Sequence, residues 1–222
     1  MKVALTIPAK GTSERVRNKN LTLVGGKTLV RRACEKALLC KEVDYVYLDT
    51  ESDDIKSEVS DLLSKGLRLI DRPAELATND CNANDLLTWA LHTIEEVDVI
   101  CQTFSTSPLI TAETIDRVIR EWKNSTGHDS FMTVVPVQEY FWNNGSPENF
   151  TIEDLPNSQD LDKKMMETHG LYGVTVESFV NRGTRVGKNP LLVEVSKTES
   201  LDIDDPEDLA IVEAILIRQE GS

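Results

Sequence analysis

The sequence predicts an α/β domain, a mainly parallel sheet with helices on both faces. Apolar strand-like runs alternate with amphipathic helix-like segments over most of the 222 residues. That alternation is the pattern of parallel strands joined by covering helices. Each connection is short enough for a right-handed crossover. The length suits one substantial core, so a single domain over 1–222 is expected.

Along the chain, the apolar run Val3-Ala4-Leu5-Thr6-Ile7 reads as a buried first strand. Further strands are expected near 45–48, 67–70, 97–103 and 130–135, with helices near 28–39, 53–64, 83–95 and 112–123 between them. After Val137 the period is lost. Tyr140, Phe141, Trp142, Asn143, Asn144, Gly145 and Pro147 crowd together, and nothing regular is sustained through Lys164. So long an irregular stretch exceeds an ordinary connection. Residues 138–168 are therefore expected to form a lid over a site or an arm that packs on another subunit, since aromatics are scarce elsewhere, at 5% of the chain. Strands resume near 171–176 and 191–195, followed by a helix over 206–218. The start of that helix is well specified: Asp205 can cap it, Pro206 suits its first position, and Glu207 and Asp208 favour the positive end of its dipole.

The formal charge of −14 argues against nonspecific binding to nucleic acid or an anionic membrane, both of which require a basic face. No apolar stretch approaches the length of a membrane span, and Met1-Lys2 leads directly into a strand, so a cytoplasmic protein is expected. Cys34, Cys40, Cys81 and Cys101 show no C-x-x-C spacing and lie far in sequence from the three histidines, which favours reduced thiols over a zinc site.

Against this acidic background, the segment from Ile7 to Leu21 is unusual because it places Lys10, Arg15, Arg17 and Lys19 among small and turn-forming residues just after the first strand. The carboxyl end of a strand in an open α/β sheet is where ligands bind, and backbone N–H groups with Lys and Arg suit a polyphosphate. Gly25-Gly26-Lys27-Thr28 resembles part of a P-loop, but position 21 is Leu where that motif needs Gly. A turn that leads into a helix is the better reading. No G-x-G-x-x-G follows the first strand, and no G-x-S-x-G occurs. Near the other end, Asp202 and Asp204 alternate along an extended segment and so point to one side of it. Two carboxylates on one face repel unless a cation lies between them, and Mg²⁺ with its preference for oxygen donors is the expected guest. A basic loop and a paired-carboxylate metal site together fit nucleotidyl transfer.

The opening segment resembles A-[RK]-x-x-S-x-R-[VIL]-x-x-K-N of the acylneuraminate cytidylyltransferases, the CMP-sialic acid and CMP-nonulosonic acid synthetases, with Ala9, Lys10, Ser13, Arg15, Val16, Lys19 and Asn20 on the pattern. Arg72-Pro73-Ala74-Glu75-Leu76-Ala77, Thr106-Ser107-Pro108-Leu109, Leu155-Pro156 with Gln159-Asp160, and Ser200 through Leu209 follow in the same order. The resemblance implies a Rossmann-like fold, CTP as donor, Mg²⁺ as cofactor, and attack by a sugar acid's anomeric hydroxyl on the α-phosphate with release of pyrophosphate. It also implies a homodimer in which the irregular region reaches the partner's site. Carried over, Lys10, Ser13, Lys19 and Asn20, with Ala9 and Arg15 of the same motif, would hold CTP, and Arg72 would reach phosphate or base. Asp202 and Asp204 would bind the metal and, with Lys19, carry the catalysis, while Phe104 and Tyr172 would lie on the acceptor side.

The sequence also departs from that family. Lys10 stands for the commoner Arg, Phe104-Ser105 for Gln-Pro, and Asn143 and Asn157 occupy positions where a Lys and an Arg would help hold the sugar acid. The nucleotide half matches and the acceptor half does not. A nonulosonic acid other than N-acetylneuraminate, another acidic acceptor such as a sugar phosphate or phosphonate, or a non-catalytic nucleotide-binding relative all remain open.

Overall fold

The opening run forms β1 (Val3–Pro8) in a computed structural model that describes residues 1–12 and 18–220. A hairpin of β2 (Leu23–Val24) and β3 (Lys27–Thr28) follows and leads into α1 (Leu29–Leu38). Its turn is the glycine pair Gly25 and Gly26, at φ 56 and 78°, a left-handed conformation that glycine adopts without steric cost. Thr28 then caps α1 by accepting from the Arg31 N–H, so the Gly-Gly-Lys-Thr segment is the turn and helix start that the sequence suggests.

Next come β4 (Tyr45–Thr50), α2 (Asp53–Glu58), β5 (Leu67–Asp71), α3 (Ala83–Thr93), β6 (Val99–Gln102), α4 (Ala112–Asn124) and β7 (Ser130–Val137). The helix expected over 53–64 is split: α2 stops at Glu58, and a 3-10 turn covers Ser60–Lys65. The irregular region contains a small hairpin, β8 (Trp142–Asn143) with β9 (Ser146–Pro147). Phe150 packs edge-on against both Tyr140 and Trp142, so local contact accounts for part of that aromatic cluster, though Trp142 remains 57% exposed. The long strand β10 (Lys164–Thr175) begins earlier than the sequence suggests, and residues 164–168 therefore belong to the sheet. Then follow α5 (Val176–Arg182), β11 (Pro190–Glu194) and α6 (Pro206–Glu220).

Seven strands make one sheet in the order β11-β7-β10-β6-β1-β4-β5. All neighbouring pairs are parallel except those of β10, which runs antiparallel to both β6 and β7. Alternation along β1 sends Val3, Leu5 and Ile7 to a core shared with α1 and α4, and Ala4 to a second core beneath α3 and α5. Both faces are covered, as expected. The chain leaves β1 for β4 on one side and later returns to β6 on the other, so the strand order reverses at β1. A crevice outside the carboxyl ends of the strands opens at such a point.

β10 carries a second local device. Its register against β7 shifts between Glu167 and Tyr172, and buried hydroxyls stitch the irregular residues in place. Thr133 Oγ1 lies 2.6 Å from Thr168 Oγ1 and accepts the Leu171 N–H at 3.0 Å, while the Thr103 hydroxyl donates to the Gly170 carbonyl at 2.7 Å. Without these partners the displaced backbone groups would be buried and unsatisfied. Gly173 beyond the bulge lets β10 pass Phe131: an added Cβ would fall 2.0 Å from the ring.

Candidate active site

Loops after β1, β5 and β6 enclose a cleft of about 550 Å³ at the strand-order reversal. Lys10, Lys19, Asn20, Arg72 and Phe104 all line it, which brings together residues from widely separated parts of the sequence. Ala9 lies below, 1% exposed, with its N–H donated to the Asp49 carbonyl, so its contribution is to anchor the loop in the core. Ser13 and Arg15 fall outside the described residues.

The polar walls are held from behind. Asn20 Nδ2 donates to the Lys10 carbonyl at 2.8 Å, and its Oδ1 accepts from the Ser105 hydroxyl. Lys10 Nζ donates to Asn79. Arg72 is buried; its Nε donates to Asp49 Oδ1 at 2.9 Å and a terminal nitrogen donates to the Asp49 carbonyl at 2.8 Å. Burial pushes the Asp49 carboxyl above its ordinary value, against the pull of Arg72. Asn82 starts α3 with a capping box shared with Asp85 and also lines the cleft.

Lys19 joins this cleft to the second cluster. Its buried ammonium donates to the Ile203 carbonyl at 2.5 Å and lies 3.6 Å from Asp204 Oδ1. Ile203 points into a core with Val24, Leu29, Leu109, Val212 and Leu216, which turns Asp202 and Asp204 to the opposite side of the segment. The expected cap of α6 is present: Asp205 Oδ1 accepts the N–H groups of Glu207 and Asp208, and Asp208 Oδ2 accepts those of Asp204 and Asp205. The cap thereby fixes the backbone of a candidate metal ligand.

Asp202 accepts from the Ser107 hydroxyl at 3.0 Å and faces His169 Nδ1 at 3.4 Å. Burial alone would raise its carboxyl, but hydrogen bonds from His169, Thr106 and Ser107 overcome this and leave it below the ordinary value. The same contact raises His169, with Asp204 adding to the effect. The β10 bulge presents His169 to this group. Phe104 meets His169 edge-on at 6.0 Å between ring centres and Tyr172 at 6.3 Å. Tyr172 itself is 1% exposed and stands behind Phe104, its hydroxyl donating to Glu167 at 2.5 Å.

A family profile described as cytidylyltransferase matches residues 4–168. The chain belongs to the cytidylyltransferase family. Among its relatives, the 8-amino-3,8-dideoxy-manno-octulosonate cytidylyltransferase of Shewanella frigidimarina is 25% identical, over 94% of this chain and 96% of that protein. The N-acylneuraminate cytidylyltransferase of Oncorhynchus mykiss is 26% identical, over 92% of this chain and 49% of that larger protein. A solved CMP:2-keto-3-deoxy-manno-octonic acid synthetase complexed with CTP shares the fold, with a TM-score of 0.71 at 16% identity over 99% of this chain and all of that one, 100%. The 4-diphosphocytidyl-2C-methyl-D-erythritol synthase of Anaerococcus prevotii follows at a TM-score of 0.65 and 12% identity, covering 97% and 96% of the two chains. The resemblance drawn from the sequence motifs is borne out at the level of family, fold and enzyme class.

Several side chains at this candidate site of the cytidylyltransferase escaped the sequence reading. Asn79 and Asn82 line the cleft, Asp49 holds Arg72, and His169 faces Asp202. Asn82 followed by Asp85 carried a helix-start signal that could have located one of them. His169 had no comparable signal, because its position depends on a bulge that only the sheet reveals.

Proposed function

We propose that the protein transfers CMP from CTP to the anomeric hydroxyl of a nonulosonic, sialic-acid-like sugar acid, with release of pyrophosphate. The observation that carries this reading is the placement of Lys19, which links the cleft lined by Lys10, Asn20 and Arg72 to the paired carboxylates Asp202 and Asp204. The names and activities of the relatives support it, since both the amino-octulosonate and acylneuraminate enzymes transfer a cytidylyl group to such acids.

In this scheme Lys10, Lys19 and Asn20, with Ser13 and Arg15 of the same motif, hold the triphosphate and Arg72 reaches phosphate or base. The acceptor lies toward Phe104, with Tyr172 supporting the pocket behind it. Charge develops on the α-phosphate and the departing pyrophosphate, and fixed cations already in place there stabilise it without reorganisation. No covalent protein nucleophile is required.

The carboxylates suit Mg²⁺. Asp202 and Asp204 offer hard oxygen donors, and among the described residues no group of three or more His, Cys, Asp and Glu gathers that could hold a metal alone. Two carboxylates with water and substrate phosphate completing the shell is the usual arrangement for that ion. Mg²⁺ bound there would neutralise phosphate charge and polarise the bond to pyrophosphate. Lys19 lies beside Asp204, and His169 beside Asp202.

We assign the irregular region as a dimerisation arm. Trp142, Ile152 and Leu155 are exposed along it, which suits burial against a second copy. No helix among the described residues is long and apolar enough to cross a membrane.

The test is pyrophosphate release by purified protein given CTP, Mg²⁺ and a panel of nonulosonic acids. Turnover with at least one acid, and preference for CTP over UTP and GTP, is expected. Absence of turnover together with absence of CTP binding by calorimetry overturns the proposal.

A further inference from the structure

The acceptor side holds a cation with no part in the scheme so far. Arg185 lies in the turn between α5 and β11, and its guanidinium carbon sits 3.5 Å from the centre of the Tyr172 ring and 5.8 Å from that of Phe104. Phe104 lines the cleft and abuts His169, which faces Asp202. An unbroken set of contacts thus runs from Arg185 to the carboxylates.

Arg185 is held by several elements at once. Its backbone N–H donates to Asn84 Oδ1 at 2.9 Å, a terminal nitrogen donates to Gln102 Oε1 at 3.3 Å, and the other lies 3.5 Å from Glu167 Oε1. The backbone of its turn is clamped by Asp129, which accepts the N–H groups of Lys188 and Asn189. A guanidinium offers five N–H donors, and these two side-chain contacts sit at the long end of the hydrogen-bond range. The group is therefore oriented by stacking but only loosely satisfied by its polar neighbours. Its side chain is 18% exposed.

A planar, stacked guanidinium with unused donors is suited to bidentate pairing with a carboxylate. We infer that Arg185 recognises the carboxylate of the acceptor. The inference rests on the proposed transfer reaction for its substrate. Glu167, 3.5 Å from the guanidinium, would yield it to the incoming acid, while the Tyr172 ring beneath keeps it oriented.

The test uses the full-length protein with 8-amino-3,8-dideoxy-manno-octulosonate and N-acetylneuraminate, each compared with its 1-carboxamide. Binding is read by calorimetry and turnover by pyrophosphate release. Arg185→Ala is expected to weaken the acid by roughly 10- to 100-fold, the range for losing a charge-assisted pair, with CTP affinity within about twofold of wild type. Arg185→Lys should recover part of the loss, and the carboxamide should not distinguish the three proteins. Equal weakening of acid and carboxamide would mean that Arg185 only supports the pocket, and that result, or no weakening of either, overturns the assignment. Failure of the wild type to bind either acid overturns it as well. Arg185-dependent binding of an acid without pyrophosphate release would instead retain the carboxylate site and remove the transferase reading.

Discussion

Lys19 Nζ lies 3.6 Å from Asp204 Oδ1 and at the same time donates to the carbonyl of Ile203, so one ammonium ties the first loop of the chain to the segment before its last helix. The pair occupies the boundary between the cleft and the candidate metal site. Neutralising Asp204 should disturb chemistry far more than folding. Asp204→Asn is expected to lower kcat by about 10²- to 10³-fold, in line with loss of one electrostatic contributor, with an unchanged circular dichroism spectrum. Near-wild-type turnover would remove Asp204 from the metal site.

Arg72 and Asp49 form an ion pair whose side chains are each 3% exposed. Arg72→Met leaves a buried carboxylate unpaired and should cost about 3–5 kcal/mol in urea unfolding. Adding Asp49→Leu should restore most of that stability but not CTP binding. Recovery of both would show that Arg72 is structural only.

Thr133 is the acceptor for the displaced Leu171 N–H in the β10 bulge. Thr133→Val keeps the shape and removes that acceptor, which should cost about 1–3 kcal/mol. Because the bulge presents His169 to Asp202, acceptor KM should rise while CTP affinity stays constant. A loss of stability with no kinetic change would separate the bulge from the site.

Asp129 accepts from the Ser178 hydroxyl and from the N–H groups of Lys188 and Asn189. Burial opposes its ionisation, but these bonds dominate and hold its pKa at about 2, against an ordinary 3.8. A lowered carboxyl contributes stability that is complete above the unfolded value and lost as pH falls through the folded one. The Tm difference between wild type and Asp129→Asn should therefore be full at neutral pH, shrink below about pH 4 and be mostly lost by about pH 2. A difference undiminished at pH 2 would trace the effect to packing.

Much of the fold could be read locally. Strand periodicity located β1, β4 and β5 to within two residues, and Asp205-Pro206 marked the start of α6, because hydrophobic alternation and capping depend on near neighbours. The start of β10 was hidden: Lys164, Met165 and Met166 acquire partners only from β7. One wall of the cleft was legible because a motif gathers Lys10, Lys19 and Asn20 within a few residues. The cluster around Phe104 was not. His169, Arg185 and Phe104 approach one another only through a bulge, a stacked ring and a turn clamped by Asp129.

Ile203 lies 184 residues after Lys19. Domains fold as units, so the carbonyl and the carboxylate that hold the Lys19 ammonium are in place only once the segment before α6 has been made, and the basic wall of the cleft is settled together with Asp202 and Asp204 rather than ahead of them.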